Sequence, residues 1–433
     1  MIRKALFLAC IFAPAALAQD TLTGRYNLTL EVGGTQLYGV LELEQKGDAL
    51  SGKYRGDELT GTRHGDKLDF TARDKEGNRN EVHLTLKNGV MTGSETAFDN
   101  TDHKTVYLPS RLVARPAKAI SSGTPRRHEF APTMFHRAFS PLNKPVLTIA
   151  PGDTVHTTTV DAAGMDEKGV AHTLGGNPET GPFYVEGVAP GDTVAIHIVK
   201  LRLNRDWAIS DDFLVTRAVN PRLAVTMKDT GKTIYWHLDR EKGVATPEKP
   251  DVHMKTYTVP LRPMLGCVAV AVPPALAAPN TGDSGFYGGN MDFNDVAEGA
   301  TVYLQARVPG ALIYVGDGHA VMGDGELNGN GLETSMDVEF RVEVLPNRAT
   351  PQPRIETEKQ IMALGYDGSL DDSLRTAASN MQQWLASDYA LNPSEASLVI
   401  GTASTIRVTE AADRNAGVAV IIDKDRLKTL TKN

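Results

Sequence analysis

Apolar and polar positions alternate strictly through the first part of the chain. Tyr26-Asn27-Leu28-Thr29-Leu30-Glu31-Val32 and Leu37-Tyr38-Gly39-Val40-Leu41-Glu42-Leu43-Glu44 turn every second residue to one side, as a strand with one buried face does. Gly33-Gly34, Lys46-Gly47-Asp48, Arg55-Gly56-Asp57 and His64-Gly65-Asp66 interrupt the alternation at hairpin intervals. Further strands fit Lys67–Ala72, Glu81–Leu86 and Thr105–Val113. Strands in this number bury one face and hide their edges only by closing. Residues 19–115 are therefore expected to form a small antiparallel β-barrel or sandwich. No cluster of reactive side chains lies there, so this part reads as a structural or binding module.

Residues 116–127 are small, polar and Pro-bearing, and read as a linker. Beyond them, Ala150-Pro151-Gly152-Asp153-Thr154-Val155 recurs as Ala189-Pro190-Gly191-Asp192-Thr193-Val194. Pro followed by Gly suits a type II turn, so each copy predicts a turn that launches a strand. Residues 128–350 are accordingly expected to be a β-rich core. In residues 351–433 the period changes. Leu370, Leu374, Ala377, Met381 and Leu385 recur at helical spacing behind the capping pair Ser369 and Asp372. A second helix is expected from Asn392-Pro393, and strands around Ile406–Val408 and Gly417–Ile422. The predicted fold class is mainly β with an α+β C-terminal portion.

Composition narrows what such a fold could do. The 433 residues carry 45 basic and 53 acidic side chains, a net charge of −8, with no basic clusters to meet a phosphate backbone, so nucleic acid is not expected as a partner. Arg3 and Lys4 precede an uncharged stretch, Ala5 to Ala18, that ends in Ala16-Leu17-Ala18. This is the pattern of a cleaved secretory leader over residues 1–18, too short for a transmembrane helix. An exported protein, periplasmic or secreted, is expected. The remaining cysteine, Cys267, sits in the apolar run Leu265–Val270 and reads as a buried, inert thiol.

Potential ligands concentrate between residues 280 and 340. Gly288-Gly289-Asn290-Met291-Asp292 is followed, after the apolar run Ala311–Val315, by Gly316-Asp317-Gly318-His319 and Gly323-Asp324-Gly325-Glu326, then Glu333. Glycines beside acids permit tight turns and close approach, letting carboxylates converge. Oxygen donors around one imidazole suit a divalent cation: zinc with an open position, or calcium. An EF-hand over Asp324–Ser335 fails, since its third position is Glu and its twelfth Ser. Ser284 lies beside the cluster, but no Gly-x-Ser-x-Gly elbow accompanies it. His156, His172 and His197 show no matching acidic pattern and read as core or surface histidines.

These words also resemble a known family. Asn177-Pro178-Glu179-Thr180-Gly181-Pro182, Val185-Glu186-Gly187, Pro190-Gly191-Asp192, Pro263-Met264-Leu265-Gly266, Gly288–Asp292, Val308-Pro309-Gly310-Ala311 and Gly316–Glu326 look, in wording and order, like the acetamidase/formamidase family over about residues 128–425. The N-terminal module, lipocalin-like in outline, lies outside that resemblance. The resemblance implies a β-rich amidase core that hydrolyses formamide, acetamide or related small amides to carboxylate and ammonia; relatives also open cyclic amides. It places Asn290, Asp292, His319 and Asp324, with Asp161 more weakly, as metal ligands or their close partners. Glu326 and Glu333 become general base and acid. Asn177, Thr180 and Gly181 become a rigid loop lining the substrate pocket, and Asp317 either orients His319 or shapes the turn. A homo-oligomer is expected. The competing expectation is a secreted binding protein on an amidase fold.

Overall fold

The computed structural model describes residues 22–98, 110–118, 123–228 and 230–430. The expected leader, residues 105–109 of one expected strand, and residues 119–122 of the linker lie outside them. The alternating N-terminal segment closes into an eight-stranded antiparallel barrel. Each strand pairs with the next, and Gly24–Val32 pairs with Ser110–Pro116 to complete the ring. Leu28, Leu30, Leu41, Leu68, Val82 and Leu112 fill its interior, each almost wholly buried.

The core that follows packs a nine-stranded sheet on a twelve-stranded one. The inward positions of Thr301–Gln305 (Val302, Leu304) and Met336–Leu345 (Val338, Phe340, Val342) join Phe183, Leu265, Ile313 and Val315 of the facing sheet in one apolar cluster. Phe183 meets Phe340 edge to face at 5.2 Å, which ties the two layers. The strand Met264–Val270 is buried throughout, because both of its faces are covered. Residues between 207 and 260 add the strands Trp207–Asp211, Thr233–Asp239, Val244–Pro247 and Val259–Pro260 to one end of the larger sheet.

Both Pro-Gly-Asp turns form as expected. Gly152 and Gly191 have φ of 91° and 93°, and the strands Thr154–Thr158 and Thr193–Leu203 follow. In each turn the aspartate accepts from the N–H three residues back: Ala150 to Asp153 at 3.0 Å and Ala189 to Asp192 at 2.8 Å. Asp192 also receives Arg25 of the barrel, at 2.8 Å and 3.3 Å through two nitrogens. One acid thus finishes a turn of the core and fastens the barrel to it.

In the C-terminal part the helix Leu370–Tyr389 starts at Ser369, whose hydroxyl accepts from the Asp372 N–H, and Pro393–Ala403 starts from a capping box of Asn392 and Glu395. The strands Gln360–Asp367 and Ala416–Asp423 alternate in a way that uses both faces. Ile361, Ala363, Val418 and Val420 meet Met381 and Trp384 of the long helix, while Met362, Leu364, Ala419 and Ile421 turn into the sandwich. Among the described residues no helix is long and apolar enough to cross a membrane.

Candidate metal and catalytic centre

Two expected loops are strands. Glu179–Val185, expected as a pocket-lining loop from Asn177, is the inner strand of a four-way junction and pairs with Phe135–His136, Leu147–Ile149 and Ile313–His319. The strand Ile313–His319 runs through Gly316-Asp317-Gly318-His319, which reads as a loop in sequence. Pairing with Met264–Val270 on one side and Glu333–Thr334 on the other overrides the turn preference of Gly and Asp.

That pairing builds the centre. Register places His319 opposite Glu333, and His319 Nε2 lies 3.0 Å from Glu333 Oε1. The same nitrogen is 3.4 Å from Asp317 Oδ2, 3.9 Å from Glu326 Oε1 and 4.0 Å from Asp292 Oδ1. Asp292 follows the strand Gly288–Asn290, so the segments around Asn290 and His319 do meet. Asn290 donates through Nδ2 to Asp292 and to Asp413 (2.8 Å), and its Oδ1 accepts from Asn177 Nδ2 at 3.0 Å. Asn177, Asp292, Asp317 and Glu326 all have left-handed φ, between 40° and 53°. Non-glycine residues held in that region cluster at functional sites, where surrounding structure over-determines them.

The backbone leaves room for these carboxylates. A Cβ on Gly266 would lie 2.2 Å from Asp317 Oδ2 and 2.5 Å from Asp292 Oδ1, and one on Gly331 would enter the His319 ring at 2.4 Å.

Two of the expected acids are engaged elsewhere. Asp324 stands outside the cluster, bonded by Asn294 at 2.9 Å and paired with Arg407, because that arginine reaches it from the strand Ser404–Glu410. Asp161 is fully buried but pairs with Arg205 at 2.7 Å and accepts the N–H groups of Ala163 and Met165, which leaves it a poor ligand. Thr180 gives its hydroxyl to the Thr158 carbonyl at 2.9 Å. Gly181 lets its strand approach Ile313, whose carbonyl a Cβ would meet at 2.6 Å. Both of these contacts are made within the fold.

Three acids missing from the expected set belong to the cluster. Glu179 is wholly buried with neither oxygen hydrogen-bonded, beside Asp317 and the Cys267 thiol. Glu410 and Asp413 arrive from the C-terminal portion, and with Asp292 they bring ligand atoms within 4.8 Å of one another. His156, His172 and His197 do lie outside the centre, yet each has an acidic partner that sequence spacing hides: Glu129, Asp166 (2.7 Å) and Glu343 (3.5 Å). Ser284 is buried, and its hydroxyl has no hydrogen-bond partner among the described residues.

So much buried negative charge shifts the proton affinities of the cluster. Burial, then the charges of Glu326, Glu410 and Asp317, push the Asp292 carboxyl well above the usual range. Burial likewise lifts Glu179 and Glu326 well above it, and raises Glu333 and Glu410 to about 7. Burial alone would lower the His319 pKa, but the Glu333 and Asp317 carboxylates carry it well above its ordinary value. Asp292 Oδ1, Asp317 Oδ1, Glu333 Oε2, Glu410 Oε2 and both His319 nitrogens are buried with no aligned hydrogen bond. Unpaired donors around one imidazole, in a pocket short of positive charge, fit a divalent cation. Asp292, Asp317, His319, Glu326 and Glu333 are the residues that would hold it.

Residues 275–365 match the sequence pattern of the Acetamidase/Formamidase family. No curated protein matches the chain. Among solved structures, an acetamidase from Bacillus halodurans is 27% identical, over 70% of this chain and 99% of that one, with a TM-score of 0.61. An acetamidase from Yersinia enterocolitica is 26% identical, over 71% and 95%, also at 0.61. A predicted acetamidase/formamidase from the thermophile Thermoanaerobacter tengcongensis shares the fold at 24% identity and 0.61, over 71% and 99%. The matched segment contains Asn290, Asp292, Asp317, His319, Glu326 and Glu333. In sequence pattern over residues 275–365 and in fold, the chain is similar to the acetamidase/formamidase family, with an eight-stranded barrel added in front.

Proposed function

We propose that this protein is an amidase that hydrolyses small amides of the formamide and acetamide type to carboxylate and ammonia with the help of a divalent cation. The observation that carries the reading is the convergence of Asp292, Asp317, Glu326 and Glu333 on the His319 imidazole, with buried, unpaired atoms on Asp292, Asp317, His319 and Glu333. The resemblance to acetamidases supplies the bond that is cleaved.

When bound, a divalent cation supplies Lewis-acid polarisation of a carbonyl and activation of water. The other tasks fall to side chains. Glu333 has a carboxyl poised near neutrality and a free Oε2, so it can take the proton of the attacking water and return it to the leaving amine. Glu326 is less free, because its Oε1 accepts the Gly331 N–H at 2.6 Å; it fixes the loop opposite His319. Asn177 and Asn290 hold Asp292 in place through their linked amides. The balance is amide plus water to carboxylate plus ammonium. The leader-like sequence pattern of residues 1–18 supports reading it as an exported enzyme.

The test is ammonia release from formamide and acetamide by the purified protein, before chelation, after chelation, and after zinc or calcium is returned. Release that chelation abolishes and metal restores is expected. A fully metallated, folded protein that frees no ammonia from either amide overturns the reading.

A further inference from the structure

We propose that the cleft between the barrel and the amidase-like core binds a small organic anion, its carboxylate or phosphate group met by Arg307 and its apolar body lying on Tyr38, Val40, Pro190 and Pro273. The cleft measures about 810 Å³. Small-molecule sites run from roughly 300 to 1,000 Å³ and favour the boundary between domains. None of the lining residues belongs to the centre around His319, so the proposal goes beyond the amide reading and does not depend on it.

Strand register builds one wall. It sets Arg25, Glu42 and Lys53 side by side on the neighbouring barrel strands Gly24–Val32, Thr35–Lys46 and Ala49–Tyr54. Gly39 leaves the space that the Arg55 stem occupies, since a Cβ there would lie 2.9 Å from Arg55 Cγ. The facing wall is the Pro190-Gly191 turn, Pro273 and residues 305–307 of the core.

Among the described residues four cations, Arg25, Lys53, Arg55 and Arg307, line the space against one acid, Glu42. Asp192 answers Arg25 at 2.8 Å, Glu95 lies 3.7 Å from Arg55, and the exposed Glu58 lies 3.9 Å from Lys53. Arg307 differs from these three. It is half-buried and stacks over the Phe286 ring at 5.0 Å. It donates to the Pro351 carbonyl at 3.3 Å, its Nε has no partner, and no described carboxylate pairs with it. Burial lowers its pKa without an acid to oppose the shift, yet a guanidinium stays charged. A charge drawn out of water calls for a partner, and the guanidinium fork fits a carboxylate or a phosphate.

The test is calorimetric titration of the full chain with isophthalate, phenyl phosphate and benzyl alcohol. The protein is chelated first, so that no metal near His319 contributes to anion binding. At least one of the two anions should bind with a Kd below about 1 mM, the neutral alcohol should not, and added salt should weaken the binding. Which anion binds more tightly tells a carboxylate ligand from a phosphate. Arg307→Gln should weaken that binding by about 10–100-fold. Ala349→Trp places a bulky ring at an exposed position of the cleft wall and should abolish it. Circular dichroism reports whether each variant folds, and Ala349→Trp carries the test should Arg307→Gln fail to fold. Binding of neither anion to the native chain, equal binding of the alcohol, or unchanged affinity in the folded variants overturns the proposal. Ammonia release plays no part in the outcome, so this proposal and the proposed function fail separately.

Discussion

Replacing Arg205 with methionine tests the electrostatic frame behind Glu333. Arg205 and Asp161 are 1% and 0% exposed and meet at 2.7 Å. The guanidinium also donates to the carbonyls of Glu333 (3.1 Å) and Trp207 (3.1 Å) and to Thr334 Oγ1 (3.0 Å), and it stacks on Trp207 at 3.5 Å. Removing one partner of a buried pair costs about 3–5 kcal/mol, since the other charge is left without compensation. Asp161 keeps the Ala163 and Met165 N–H groups, which argues for the lower half, about 3 kcal/mol. The stranded carbonyls add about 1 kcal/mol. A total near 4 kcal/mol should appear in urea unfolding followed by far-ultraviolet circular dichroism. The double variant Asp161→Asn/Arg205→Met should lose less than the sum of the two singles by about 1–3 kcal/mol. Ammonia release should also fall, because the main chain of Glu333 loses its anchor. A loss below about 1 kcal/mol, or strict additivity in the cycle, would refute the argument.

Further outcomes follow from other residues. His319→Ala and Glu333→Gln should each lower ammonia release by about 10²–10⁴-fold with an unchanged circular dichroism spectrum; near-native rates in both would remove these residues from the reaction. Gly266→Ala, whose new Cβ would lie 2.2 Å from Asp317 Oδ2, should weaken metal binding by about 10–100-fold in competition with a chromophoric chelator, while Gly282→Ala, whose Cβ would meet nothing within 4 Å, should not. Asp192→Asn should destabilise the protein by about 3 kcal/mol in the same urea assay, because the amide cannot serve Arg25, Ala189 and Asn347 together; an unchanged midpoint would show that the barrel is held by other contacts.

The barrel and the long C-terminal helix were legible because each rests on local rules: alternation with hairpin punctuation in one, periodicity behind Ser369 in the other. The His319 region was legible as chemistry but not as conformation. Its Gly and Asp residues favour turns, and only the neighbours Met264–Val270 and Glu333–Thr334 make a strand of them. Asp324 shows the limit from the other side. It sits in the same glycine-flanked run as Glu326, yet Arg407, far along the chain, draws it away. Glu410 and Asp413 carry no local signal at all. Two acids after a short alternating strand look like an ordinary turn until the fold lays them against Asn290 and Asp292. The partners of His156, His172 and His197 were hidden in the same way, across strands or a loop.

The Asp192 carboxylate has a wider consequence. Its turn belongs to the amidase-like core, while the guanidinium that answers its charge is on the barrel's first strand. A shortened protein lacking residues before 123 would keep the Asp192 carboxylate on the Ala189 and Asn347 N–H groups and forfeit the cation matched to it. The two modules are therefore not freely interchangeable parts. Any other domain spliced in front of this core would inherit the obligation to present an arginine at that spot, so one ion pair constrains which fusions could have persisted.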